Sequence, residues 1–206
     1  MDILTDIQMK PVKLSEVLMG EDSDDLKCWQ DKRFKECEQN LERQKGHGDR
    51  GGKAPSWPDL HLEVFRAEGL RYPPEMDLLY TDEERRMLSV LQPRCQEVVA
   101  FYDMKFGRIT EGEEIIDVSQ SNNRIASGRD VLPCALPKGI PWARHRFRVI
   151  EPNETLACQG LGLRSFDSLD TFTRAELQSL SGNAFSGNTV MACALAALVA
   201  FDAEDD

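Results

Sequence analysis

Six cysteines and three histidines are the side chains of this 206-residue chain best suited to nucleophilic or metal chemistry. The cysteines are Cys28, Cys37, Cys95, Cys134, Cys158 and Cys193, and the histidines are His47, His61 and His145. No two cysteines stand as C-x-x-C, so the spacing does not predict a zinc site, and no metal is expected. Pro133-Cys134 is read as a thiol at a strand end. Gly51-Gly52 lacks the preceding strand and following helix that a phosphate-cradling loop requires, and is read as part of a flexible stretch, Gly46 to Lys53. The residues that could meet a polyanion are more concentrated. Arg124, Arg129, Lys138, Arg144, Arg146 and Arg148 fall within 25 residues. Ser119, Gln120, Asn122 and Asn123, which can hydrogen-bond to phosphates or base edges, precede or interleave them, and Trp142 can stack or pack.

Composition sets this cluster apart. The chain carries 36 acidic and 25 basic residues, a formal net charge of −11, with 41% hydrophobic and 30% charged residues. That is too apolar for intrinsic disorder and too acidic for non-specific coating of nucleic acid. Residues 108–150, with 5 acids and 7 bases, are the one net-positive block; residues 151–206 hold 9 acids and 2 bases. A DNA contact is therefore expected in 108–150 before anywhere else.

The elements that must position these residues can be sketched. Residues 27–45 suit a helix with Trp29, Phe34, Cys37 and Leu41 as its apolar stripe, and Val12, Leu14, Val17 and Leu18 can pack before it. Thr81-x-x-Glu84 is a capping box. Leu88, Leu91, Cys95, Val98 or Val99, and Tyr102 then form one buried face, which Pro93 should kink or split. Short strands are expected at Ile115–Val118, Val131–Cys134 and Arg146–Val149, with Pro133, Pro137 and Pro141 at strand ends or edges. Pro152 suits the first turn of a helix ending at Gly160, and Thr173-x-x-Glu176 is a second capping box. Gly182-Asn183 should break the chain before an unbroken apolar run from Val190 to Phe201. That run is too short to span a bilayer and fits a buried helix. The opening residues do not form a secretory signal, so an intracellular protein with free thiols is expected.

The C-terminal quarter resembles the last two motifs of DNA cytosine-5 methyltransferases. Arg148 is followed after five residues by Glu154, and then by Gln159-Gly160. Gly182-Asn183-Ala184-Phe185 is similar to the Gly-Asn turn that opens that family's final helix. Ser119-Gln120 with Arg124, and the run from Leu132 to Gly139, look like the end of the family's target-recognition region. Lys10 to Met19 looks like the segment that follows its catalytic half. The resemblance implies an α+β fold, with a partial Rossmann-like methyltransferase end and an irregular recognition region of short strands. It divides the chain into an N-terminal segment (1–55), a recognition-like region (56–145) and the closing motifs (146–206).

By the same resemblance, Asn183, Ala184 and Phe185 would form one wall of an S-adenosylmethionine site. Ser119, Gln120, Arg124, Arg144 and Arg146 would contact DNA. Arg148, Glu154, Gln159, Gly160 and Gly182 would organise the recognition region. The family's Pro-Cys-Gln nucleophile loop, Glu-Asn-Val strand and Phe-x-Gly-x-Gly cofactor turn are not present in this sequence. The expected function is the C-terminal portion of such an enzyme, inactive alone, with DNA and a missing catalytic half or partner subunit as its partners, and nuclear if eukaryotic. No membrane association is expected. The alternative is a non-enzymatic regulatory or interaction module.

Overall fold

The computed structural model describes residues 14–44, 56–120, 122, 127–133, 136, 138–159 and 172–183, with the side chains at 15, 16 and 40–44 left out. These residues form a mixed α+β arrangement of eight helices and one four-stranded antiparallel sheet. The helices are α1 (Leu14–Val17), α2 (Asp24–Gln44), α3 (Trp57–Ala67), α4 (Met76–Leu79), α5 (Asp82–Leu88), α6 (Pro93–Phe106), α7 (Pro152–Cys158) and α8 (Arg174–Asn183). The strands are β1 (Glu114–Asp117), β2 (Ser127–Arg129), β3 (Pro141–Ala143) and β4 (Arg148–Val149), in the order β2-β1-β3-β4.

Local chemistry accounts for the helical boundaries. Thr81 caps α5: its hydroxyl accepts from the Glu84 amide, and the Glu84 carboxylate accepts from the Thr81 amide at 2.9 Å. Proline cannot donate to a helix interior, so Pro93 divides the expected long helix. It takes the first turn of α6, where no amide partner is needed. Gly107 ends α6 with φ at +76°, a conformation a side chain would resist. Thr173 and Glu176 close a matching pair of bonds at the start of α8.

The sheet sorts its side chains by the strand period of two. Ile116 pairs with Trp142, and Trp142 with Val149. All three face a core built with Phe65, Leu88, Leu91, Cys95, Val98, Val99, Phe101 and Tyr102. On the opposite face, Ile115 lies against Ala143, and with Ile150 they pack on Leu14 and Leu18. Trp142, Phe65, Ile115 and Ile116 are completely buried. Each such side chain contributes about 1.5–3 kcal/mol of hydrophobic stabilisation. Trp142 thus packs; it does not stack on a ligand.

Several expectations need correction. Val131–Cys134 contains no described strand; the pairing element is Ser127–Arg129, and Val131 is 61% exposed beyond the turn. Arg146 belongs to a turn, with only Arg148 and Val149 in β4. In α2 the most buried side chains are Leu26 and Arg33, while Trp29, Phe34 and Cys37 are half-buried. Gly182 and Asn183 are helical, the last described residues of α8, and the break expected after them lies outside the described residues. The glycine-rich stretch 46–53, Cys134, Gly160 and the apolar run 190–201 lie outside the described residues.

Candidate functional site

The basic residues after β3 sit on a turn that points them back into the molecule. Arg144 is 4% exposed. Its Nη2 donates to Asp103 Oδ1 at 2.8 Å and to the Tyr102 carbonyl at 3.3 Å, while Nη1 meets the Glu114 carboxylate. The guanidinium also lies 5.5 Å from the centre of the Tyr102 ring. These bonds fasten the C-terminal end of α6 to β1 and β3. Arg146 donates from Nε to Glu113 Oε1 at 3.0 Å and from Nη1 to the Met19 carbonyl at 2.7 Å. The resemblance places both side chains at a DNA surface. Carboxylates and carbonyls of the chain itself take up both terminal nitrogens of Arg144, and Nε and Nη1 of Arg146, while Arg144 Nε is buried without a partner among the described residues.

Arg148 and Glu154 form the centre of the arrangement. Nη1 and Nη2 of Arg148 each donate to one oxygen of Glu154 at 2.8 Å, a two-pronged pair with both residues at 1% exposure or less. Glu154 also accepts from the Met19 amide at 2.8 Å and the Glu151 amide at 2.9 Å. Burial works to lower the Arg148 pKa, but the carboxylates of Glu154 and Glu21 more than reverse it, and the net shift is upward. Three residues earlier, Glu151 receives Arg33 of α2 through two bonds of 2.9 and 3.0 Å. The start of α7 thus holds two carboxylates, Glu154 in its first turn paired with β4 and Glu151 at its cap paired with α2. Gln159 at the end of α7 donates to the Ser181 carbonyl of α8 at 2.7 Å. Arg174 completes the cluster, 3.3 Å from Glu36 and 3.5 Å from Glu151. Burial and the like charge of Arg33 lower its pKa.

A second polar centre lies at the end of β1. The buried Asp117 accepts at Oδ1 from the Ser119 amide (3.0 Å), the Ser119 hydroxyl (2.7 Å) and the Ile140 amide (2.9 Å). Gln120 Nε2 lies 3.4 Å from Asp117 Oδ2 and 3.3 Å from Ser119 Oγ. Arg94 of α6 donates to the Ser119 carbonyl. Ser119 and Gln120 are therefore held in one conformation and remain half-exposed.

Of the other residues singled out by sequence, Arg124, Gly160, Ala184 and Phe185 lie outside the described residues. Asn183 is exposed at the end of α8, where its Nδ2 donates to the Ser179 carbonyl at 2.8 Å; Gly182 precedes it in the same helix. Arg129 and Lys138 are exposed and enter no ion pair among the described residues. The thiols of Cys95 and Cys158 are poor nucleophiles. Burial raises the Cys95 pKa, and burial with the nearby Glu154 charge pushes Cys158 up to about 12. Among the described residues no group of three or more His, Cys, Asp and Glu side chains could hold a metal ion, and no helix is long and apolar enough to cross a membrane.

Sequence reasoning missed Arg33, Glu151 and Asp117. Glu151-Pro152-x-Glu154 carries a readable signal: a carboxylate at the cap position, proline at the first helical position and glutamate three residues after the cap. Asp117-x-Ser119 also has the local form in which an aspartate accepts from the backbone two residues on. Nothing local marks Arg33. Comparison with known proteins finds no matching family model and no matching curated relative.

Proposed function

We propose that this chain is the C-terminal portion of a DNA cytosine-5 methyltransferase-like protein, supplying DNA recognition to a catalytic half carried elsewhere. The observation that carries this reading is the Arg148–Glu154 pair. The resemblance gives these two residues an organising role, and their bonds have that form: they join β4, the first turn of α7 and the backbone at Met19. The Gln159 bond to Ser181 adds α8 to the same unit. The backbone at Met19, in the segment that would follow a catalytic half, thus meets the Arg148–Glu154 motif at a buried junction, which supports the reading.

On this reading Arg144, Arg146 and Arg148 are the frame of the recognition region. Arg129 and Lys138, with Ser119 and Gln120, form its contact surface. The chain would also add one wall to an S-adenosylmethionine site at the end of α8. Asn183 alone does not make a nucleoside pocket, since its amide is engaged within the helix. The sequence supplies no thiolate loop of the family type, so the chain alone should transfer no methyl group.

A non-enzymatic docking role is the second reading. It is favoured by Trp57 and Leu60, three residues apart on α3 and 37% and 44% exposed.

Incubating the purified chain with duplex DNA and radiolabelled S-adenosylmethionine tests the proposal. It predicts no label in DNA from the chain alone, and label when a catalytic half from a cytosine-5 methyltransferase is added in place of that enzyme's own C-terminal portion. Methyl transfer by the isolated chain would refute the proposed inactivity. Failure of every such pairing, with no DNA affinity, would refute the proposed role.

A further inference from the structure

The donors and acceptors around Asp117 run in one direction. An ionised carboxylate only accepts hydrogen bonds. The Ser119 hydroxyl gives its single hydrogen to Asp117 Oδ1 at 2.7 Å, so its oxygen is left as an acceptor. Gln120 Nε2 stands 3.3 Å from that oxygen and 3.4 Å from Asp117 Oδ2. Only the NH2 end of the amide can occupy this position, because the flipped amide would set its carbonyl oxygen against two acceptors. The amide nitrogen is thereby engaged by Ser119 and Asp117, while Oε1 accepts no hydrogen bond among the described residues and belongs to a half-exposed side chain. Asp117 cannot easily relax this order. It is 5% exposed, held by the Ile140 amide, and lies 3.4 Å from where a β-carbon on Gly139 would sit.

We propose that Asp117 fixes the hydrogen-bonding sense of Gln120, so that the loop after β1 presents an acceptor and selects a base carrying an exocyclic amino group. The inference rests on the DNA-recognition reading and specifies its chemistry. In the major groove adenine and cytosine offer such a donor, whereas thymine and guanine offer O4 and O6 acceptors at comparable positions. Gln120 is the contacting residue and Asp117 a positioning residue.

The test uses the full chain and a library of random-sequence DNA duplexes. Selection should enrich a site with a preferred A or C. Replacing that base by its analogue lacking the amino group should weaken binding about tenfold, within the range of one good base contact. Gln120→Ala and Asp117→Asn should each lose this discrimination while keeping the wild-type dependence on salt, since phosphate contacts are untouched. A merely structural role for Asp117 would instead change affinity for all sequences alike. Independently of DNA, the Gln120 side-chain amide protons should exchange more slowly in the wild type than in Asp117→Asn; equal rates would overturn the donor order itself. Gln120→Ala, at a half-exposed position, serves if Asp117→Asn does not fold. Discrimination that persists in Gln120→Ala would overturn the proposal, and absence of affinity for any duplex at low salt would overturn it together with the recognition reading.

Discussion

Replacing Glu154 by glutamine isolates the junction on which the fold turns. The substitution keeps the shape of the side chain and one acceptor oxygen. It removes the charge opposite Arg148, whose guanidinium is 1% exposed and makes its two shortest bonds to this carboxylate. Taking one partner from a buried ion pair leaves an uncompensated charge and costs about 3–5 kcal/mol. One of the two acceptor oxygens becomes an NH2 group, so a backbone amide at Met19 or Glu151 also loses its partner, at about 1 kcal/mol or more. Domains of this size are stable by only about 5–15 kcal/mol, so Glu154→Gln should lose about a quarter of the total or more. Urea denaturation followed by tryptophan fluorescence measures it, because the fully buried Trp142 lies in the sheet that the pair supports. The companion Arg148→Met removes the stranded cation, and the double variant should recover at least about 2 kcal/mol relative to the sum of the singles. A Glu154→Gln protein within about 1 kcal/mol of wild type, or additive losses in the cycle, would show that the pair does not hold this junction together.

Other expectations follow from the same structure. Gly128→Ala would set a β-carbon 2.7 Å from the Val131 carbonyl oxygen, a backbone atom, so the turn after β2 must shift. A loss of about 1–3 kcal/mol in denaturation midpoint analysis is expected, against near neutrality if the turn yields freely. Glu113 has its pKa raised above 4.5, chiefly by burial and against the pull of Arg146. Its folded form therefore holds a proton more tightly than the unfolded chain. Relative to Glu113→Gln, the wild type should gain stability as pH falls from neutrality through the raised pKa towards 4.5, and lose that advantage as pH rises again. Parallel stability curves for the two proteins would contradict this sign.

What could be read from sequence was local. The two Thr-x-x-Glu boxes, the division at Pro93 and the face from Leu88 to Tyr102 depend on residues within a few turns of one another. Strand positions were less legible. Val131-Leu132 has a strand-like composition, yet pairing falls on Ser127–Arg129, where Gly128 lies opposite Ile115. Pro141 pointed to a strand end or an edge; it is the end of a strand, opening β3, which is an inner strand, and its carbonyl accepts from the Ile150 amide. The candidate site was the least legible part. Arg144, Arg146 and Arg148 form a positive block in sequence, but Asp103, Glu113 and Glu21 reach them from 41, 33 and 127 residues away. Charge counted along a chain does not reveal which charges the fold will neutralise.

On the proposed reading, DNA is met by the exposed Arg129 and Lys138, while the buried arginines build the frame. Duplex affinity of the full chain, measured by fluorescence anisotropy from about 25 to 200 mM salt, tests it most directly. Two phosphate contacts predict a log–log slope of about −2 or steeper, and Arg129→Gln with Lys138→Gln should reduce its magnitude by about 2 without loss of stability. No binding at the lowest salt, or an unchanged slope in the double variant, would rule out phosphate contacts by these two side chains.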